Sequence, residues 1–276
     1  MRLRVITVAV VAGATMLPGG AASAAPGSMP KIPNDHGWSG YTTYITTNVK
    51  KQPTSTEYYA DARWRVPTLD CNPIRHPIIG ASSAVGMWVG LGGVGLPKDS
   101  ASENLVQAGI VSYCRHYSQV DNAVYQILPP DKSAISLGAS YPVKPGDSVE
   151  VTVERHSKYS YSMEINDYAK ERWLWAKTFK VSFGNVPDSA DYIVEDPGFP
   201  NLYQADFGTV TFDLANYNTF PLGSCPSCGP SFLNEGYAWQ FVGVTPFNKP
   251  FTKVGPLSSP VSSDPGKFSV TWVRGS

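Results

Sequence analysis

Short runs in which apolar and polar residues alternate dominate this chain. The cleanest is Ser148-Val-Glu-Val-Thr-Val-Glu154, launched by the turn Lys144-Pro-Gly-Asp147. A period of two sends Val149, Val151 and Val153 to one face and Glu150, Thr152 and Glu154 to the other. Tyr59 to Val66 alternates in the same way and stops at Pro67, and Tyr41 to Thr47 is alternating or β-branched throughout. Tyr161–Asn166 pairs with the Ser148 strand or with Trp173–Phe179, which lies beyond the polar stretch Asp167–Arg172. Thr209–Asp213 and Lys267–Val273 complete the series. No long window carries a 3.6-residue apolar period with caps, so little helix is expected. There is no internal repeat, and the proline-rich stretches near Pro221–Pro230 and Leu257–Pro265 read as surface loops. Many short strands in one chain of 276 residues predict an all-β fold, an antiparallel sandwich of two sheets.

The first residues break this pattern. Arg2 and Arg4 precede an apolar run, Val5–Leu17, that is too short to span a bilayer, and Ala22-Ser-Ala24 follows as a small-residue cleavage site. Residues 1–24 therefore read as a signal peptide, 25–36 as a short polar lead, and 37–276 as a single β-sandwich domain. A secreted, extracellular protein is expected, free of the membrane once the signal is removed. Lysine plus arginine and aspartate plus glutamate each number 22, giving a formal net charge of zero. No basic cluster is present to track phosphates, which argues against nucleic acid and anionic membrane surfaces as partners.

Four cysteines in an exported chain suggest two disulfides, for which three pairings are possible. Cys225-Pro-Ser-Cys228 has redox or half-zinc spacing. It lacks a second CxxC, a suitably spaced histidine and a βαβ context, so a tight loop disulfide is the better reading. Cys71 and Cys114 then remain as a long-range pair.

Most familiar chemistries find no foothold. His36, His76, His116 and His156 are scattered without ligand spacing, so neither a metal nor a cofactor is expected. No GxSxG elbow nominates a serine nucleophile, and the cysteines are expected to be oxidised. Gly90-Leu-Gly-Gly-Val-Gly95 precedes no helix and reads as a turn rather than a nucleotide cradle. Glu150 and Glu154 share a face but read as solvated strand residues. Glu195 and Asp196, being adjacent, point to opposite faces and cannot form a close pair, whereas Asp191, Ile193 and Glu195 share one face.

Two segments carry a more specific signal. One is Trp88-Val-Gly-Leu-Gly-Gly, followed by Asn104-Leu-Val-Gln107-Ala-Gly. The other is Ala190-Asp-Tyr-Ile-Val-Glu195-Asp, followed by Ala205-Asp-Phe-Gly-Thr-Val-Thr-Phe212. Together they resemble the signature of the glutamic peptidases, the eqolisin or G1 family of secreted acid endopeptidases. The resemblance runs in good order from Trp38 to about Phe212. It implies a concanavalin-like sandwich with a concave substrate groove. It also implies a catalytic dyad of Gln107 and Glu195 that activates water with neither metal nor covalent intermediate. Trp88 would line the groove, and Tyr125 would contact substrate. The expected partner is a protein or peptide substrate, and the expected state a monomer.

The sequence also departs from the family pattern. A typical Trp-Tyr-Glu-Trp-Tyr-Pro run corresponds to Val124-Tyr-Gln-Ile-Leu-Pro129, and acidic positions of the family fall at Gly92, Val111, Gln126 and Gly198. The dyad is thus kept while surrounding carboxylates and aromatic walls are lost. A rival reading follows from those losses: a non-catalytic concanavalin-like module that binds glycan or peptide by aromatic stacking.

Overall fold

The computed structural model describes residues 31–34, 37–43, 59–72, 82–93, 104–129, 131, 133–183, 189–196, 202–218, 231–232, 238–243, 252–258 and 263–273. In chain order the strands are β1 (Lys31–Asn34), β2 (Trp38–Thr43), β3 (Tyr59–Arg65), β4 (Ser82–Gly92), β5 (Leu105–Arg115) and β6 (Ser118–Leu128). Next come β7 (Ile135–Ser136), β8 (Ser148–Ser157), β9 (Ser160–Asp167), β10 (Arg172–Lys180), β11 (Ala190–Glu195) and β12 (Leu202–Gln204). The last are β13 (Thr209–Asn218), β14 (Ser231–Phe232), β15 (Ala238–Gly243), β16 (Thr252–Val254) and β17 (Phe268–Trp272). The other element among the described residues is a 3₁₀ turn, Tyr168–Lys170, set in the polar stretch between β9 and β10.

The strands form two sheets. A nine-stranded sheet runs β1-β15-β2-β11-β4-β5-β6-β7, with β12 beside β4; an eight-stranded sheet runs β10-β9-β8-β3-β13-β17-β16, with β14 beside β13. The pairings are antiparallel except β1 with β15 and β12 with β4. Tyr161–Asn166 falls within β9, which pairs with both candidate partners, β8 on one side and β10 on the other.

Two expected boundaries shift. β1 lies inside the segment read as a lead, because its backbone completes an edge of the larger sheet against β15. β4 continues through Gly92, so Gly90 is a strand residue laddered to Gln107 and Asp191 rather than part of a turn. The signal peptide, His36, His76, Gly95, Gly198, Cys225 and Cys228 lie outside the described residues.

The core is the space between the sheets. Tyr41, Met87, Val89, Ala108, Ile110, Tyr192 and Val194 enter it from the larger sheet. Trp64, Val149, Val151, Val153, Met163, Ile165 and Phe212 meet them from the smaller one. Burying each of the valine, isoleucine, methionine and phenylalanine side chains among them contributes roughly 1.5–3 kcal/mol. Phe207 also belongs to this core. A disulfide joins Cys71, just beyond β3, to Cys114 of β5 across 43 positions, the long-range pair of the sequence reading.

One local device fixes the register that matters for function. β5 and β6 form a hairpin closed by His116 and Tyr117, both with positive φ (48° and 65°). Positive φ at both turn residues twists the chain in the sense that adjacent strands require. The ladder then runs without a slip from Arg115 opposite Ser118 to Leu105 opposite Leu128, placing Gln107 opposite Gln126.

Candidate active site

Strand alternation divides each central strand of the larger sheet between the core and the opposite, outer face. On β4 the core takes Met87 and Val89, so Gly86, Trp88 and Gly90 face outward. Register carries the outer face across the sheet. Glu195, Ile193 and Asp191 of β11 stand opposite Gly86, Trp88 and Gly90; Val111, Gly109 and Gln107 of β5 stand opposite the same three residues. On the flanks, Trp38, Gly40 and Thr42 of β2 adjoin the β11 residues, and Asn122, Val124 and Gln126 of β6 adjoin those of β5.

The centre of this face is covered, since Trp88, Gln107, Ile193 and Asp191 are all buried. Two glycines make the arrangement possible. The Trp88 indole lies over Gly86: a β-carbon there would come within 2.4 Å of its Nε1. Gly109 lets β5 approach β4, because a β-carbon there would meet the Met87 carbonyl oxygen at 1.9 Å.

Glu195 ends β11 at one end of the site. The Trp38 indole Nε1 donates to its Oε1 at 3.1 Å. Burial pushes its carboxyl up to about 7. The nearby indole N–H groups of Trp38 and Trp88 act against this by favouring the ionised form, and the charge of Asp196 adds to the rise. The Trp88 N–H falls short of hydrogen-bond geometry; it is buried and has no partner among the described residues. Asp196 itself lies past the strand end, its backbone N–H donating to the Gly37 carbonyl oxygen.

Gln107 lies at the other end, on β5. Its Nε2 donates to Oε1 of Gln126 at 2.9 Å. Beyond Gly90 in the same row, Asp191 is buried and accepts from Thr42 (2.5 Å) and Ser189 (3.3 Å).

The structure therefore puts Gln107, Glu195 and Trp88 on one face but does not join the first two by a hydrogen bond. They are offset by four residues along β4 and two strands across it. On a flat sheet that is a diagonal of roughly 16 Å between Cα atoms. Trp88 stands between them on β4.

Tyr125 is placed otherwise. It lies on the core side of β6, opposite Ala108, and stacks on Trp175 of the smaller sheet at 5.3 Å, with Phe179 at 4.9 Å. The expected substrate contact is corrected accordingly: Tyr125 braces the two sheets. The sequence reading also missed the tie between Trp38 and Glu195, which depends on pairing residues 157 positions apart. The available signal was alternation within Gly37-Trp-Ser-Gly40, but that shows no partner. Among the described residues no three His, Cys, Asp or Glu side chains gather as metal ligands.

Solved structures share the fold. Scytalido-glutamic peptidase, solved with a transition-state analogue inhibitor, superposes with a TM-score of 0.63 at 18% identity, over 87% of this chain and 99% of its own. SCP-B, described as a member of the eqolisin family and bound to the tripeptide Ala-Ile-His, gives 0.58 at 17% identity over the same shares. Aspergilloglutamic peptidase from Aspergillus niger gives 0.52 at 24% identity, over 69% of this chain and 99% of its own. No curated protein matches the chain. The sequence profile of the Peptidase A4 family matches residues 38–221, a span that begins at Trp38, runs through β4, β5 and β11, and includes both Gln107 and Glu195. This chain belongs to the Peptidase A4 family.

Proposed function

We propose that this protein is a secreted endopeptidase in which Glu195 and Gln107 activate water for attack on a peptide bond. The observation that carries the reading is their placement: a carboxyl and a carboxamide at opposite ends of one covered face, flanking a buried indole. Ionised Glu195 takes a proton from the bound water as general base. Gln107 donates an amide N–H to the oxyanion that develops on the substrate carbonyl, which stabilises the transition state more than the ground state. Glu195 then returns its proton to the leaving nitrogen. No acyl-enzyme and no metal enters this sequence of steps.

A group with a pKa near 7 changes hands with a proton most readily in solutions not far from that pH. In the free protein the base form of Glu195 grows as pH rises toward about 7. The reading therefore expects activity on the acid side of neutrality that declines as pH falls below about 7 and Glu195 takes up a proton. The neutral residues Gly92, Val111 and Gln126 add no further carboxylates to be protonated first. The test is hydrolysis of an unfolded protein substrate across the acid range, with and without chelators and serine- and cysteine-directed reagents. Cleavage in mild acid that none of these reagents blocks supports the reading. Inhibition by chelation or by covalent modification of a nucleophile would refute it.

A further inference from the structure

The family reading gives Gln107 a role but leaves open what aims it. A primary carboxamide presents an acceptor on one side and two donors on the other, in nearly the same shape. Rotating it by half a turn costs little in packing and exchanges donor for acceptor. A glutamine that must donate to an oxyanion therefore needs a neighbour that restrains its side chain.

We propose that Gln126 is the positioning residue for Gln107, a proposal that rests on Gln107 being a member of the catalytic pair. The two residues are direct cross-strand partners on the outer face. Side chains so placed have β-carbons about 4.5–5.5 Å apart and interact directly. Gln126 Oε1 accepts from Gln107 Nε2 at 2.9 Å, which consumes one of the two N–H groups. Among the described residues the second N–H and the Oε1 atom have no further partner and are left for a ligand on this face.

The pairing is hard to lose. The β5–β6 ladder holds eleven residue pairs without a slip, from Arg115 opposite Ser118 to Leu105 opposite Leu128. A shift of one residue would send Gln126 to the core side and bring Tyr125 or Ile127 out. The inter-sheet stack of Tyr125 on Trp175 and Phe179 opposes that shift.

The side-chain chemistry at position 126 sets the consequence. A carboxylate there would only accept while ionised, and on protonation could donate its O–H to Gln107 Oε1, favouring the opposite orientation. An amide at 126 does not titrate, so its hold on Gln107 is the same in strong acid, mild acid and neutral solution. The restraint on Gln107 is thereby uncoupled from pH, leaving Glu195 to set the pH dependence of turnover.

The test compares the parent with Gln126→Leu, Gln126→Glu and Gln107→Ala, reading both the Gln107 side-chain amide by ¹H–¹⁵N NMR and steady-state kinetics on an unfolded protein substrate. The amide signals are assigned by their loss in Gln107→Ala. In the parent, one Gln107 side-chain proton should exchange slowly; in Gln126→Leu both should exchange fast, with kcat reduced about tenfold or more and KM within about threefold. Gln126→Glu should restore the slow proton and kcat where its carboxyl is ionised. It should then lose both as that carboxyl protonates, a titration absent from the parent. Thermal melts check that each variant is folded. Unchanged exchange at the Gln107 amide in a folded Gln126→Leu protein would overturn the proposal, as would a kcat loss that Gln126→Glu restores at no pH. Parent-like turnover in Gln107→Ala, with the slow amide proton still present in the parent, would instead overturn the catalytic role of Gln107 on which the proposal rests.

Discussion

Glu195 and Asp61 invite comparison because burial pushes the carboxyl of each up to about 7. They lie on different sheets. Asp61 is on β3, on the face turned away from the core, since Ala60, Ala62 and Trp64 take the core side. Both its oxygens are occupied: Thr152 donates to one at 3.1 Å and Asn216 to the other at 3.0 Å. The charge of neighbouring Glu150 helps keep it protonated, although Glu150 is itself paired with Arg63 at 2.6 Å. Among the described residues Glu195 has one hydrogen bond, from an indole that cannot accept, and stands beside a second indole N–H without a partner. A raised pKa is therefore common to both and distinguishes neither. What differs is the hydrogen bonding left over for another molecule: Asp61 is enclosed by its own sheet, whereas Glu195 retains an oxygen for a water or a substrate.

The largest effect expected from this contrast is catalytic. Glu195→Gln keeps the shape but cannot accept the water's proton, so turnover should fall by about a thousandfold or more. Asp61→Asn, with the same loss of a titrating group, should leave kcat within about threefold. Parallel assays of the two variants in mild acid decide the matter, and equal losses in both would erase the distinction drawn here.

Gln107→Ala ranks next. Loss of an oxyanion donor should lower kcat by about a hundredfold to a thousandfold while KM changes little. A rise in KM at constant kcat would make Gln107 a binding residue alone.

Asp61 should show itself in stability instead. Its folded pKa of about 7 lies above the value of about 3.9 expected in an unfolded chain, so the folded state holds the proton over that interval. The stability this provides is complete below about pH 4 and is lost as pH rises through 7. Asp61→Asn carries no charge to bury and keeps partners for Thr152 and Asn216. It should flatten this decline and be more stable than the parent at neutral pH by on the order of 1–3 kcal/mol. Urea unfolding at a series of pH values measures this, and a parent whose stability is flat from pH 4 to 8 would contradict it.

The smallest effect belongs to Trp38→Phe. Removing the indole donor disfavours the Glu195 carboxylate, so its pKa should rise further and the pH–rate profile should move to higher pH. In mild acid kcat/KM should fall roughly threefold to tenfold. An unmoved profile would show that the Trp38 hydrogen bond does not govern Glu195.

Much of this was legible in the sequence, and the limits were specific. Alternation marked β3 and β8 cleanly, because a strand with one buried face repeats every two residues whatever it pairs with, but it did not mark the eleven-residue strands β4, β5 and β6. It also grouped Asp191, Ile193 and Glu195 on one face. The neighbours of Gln107 and Glu195 singled out both residues. Alternation could not orient β6, where Val124 and Tyr125 are both apolar and either could face the core. The family resemblance assigned Tyr125 to substrate, whereas the structure gives it to the inter-sheet stack. Nor could local sequence show that the glycines from Gly90 to Gly92 continue a strand, because glycine reads as a turn until a neighbouring strand supplies its ladder.

The sequence by itself thus determined the all-β class and, through resemblance to a known family, the two segments that hold the candidate dyad. The class follows from local pattern and the segments from their likeness to the glutamic-peptidase signature, and neither needs knowledge of strand order. Tertiary structure alone decided which segments became neighbours. β11 inserts between β2 and β4, bringing Trp38 to Glu195; β6 lies beside β5 in a fixed register, bringing Gln126 to Gln107. The physical reason is that a two-residue period states which side chains share a face but not which strand lies alongside. That choice is made when the strands pair and the two sheets bury their apolar faces against each other.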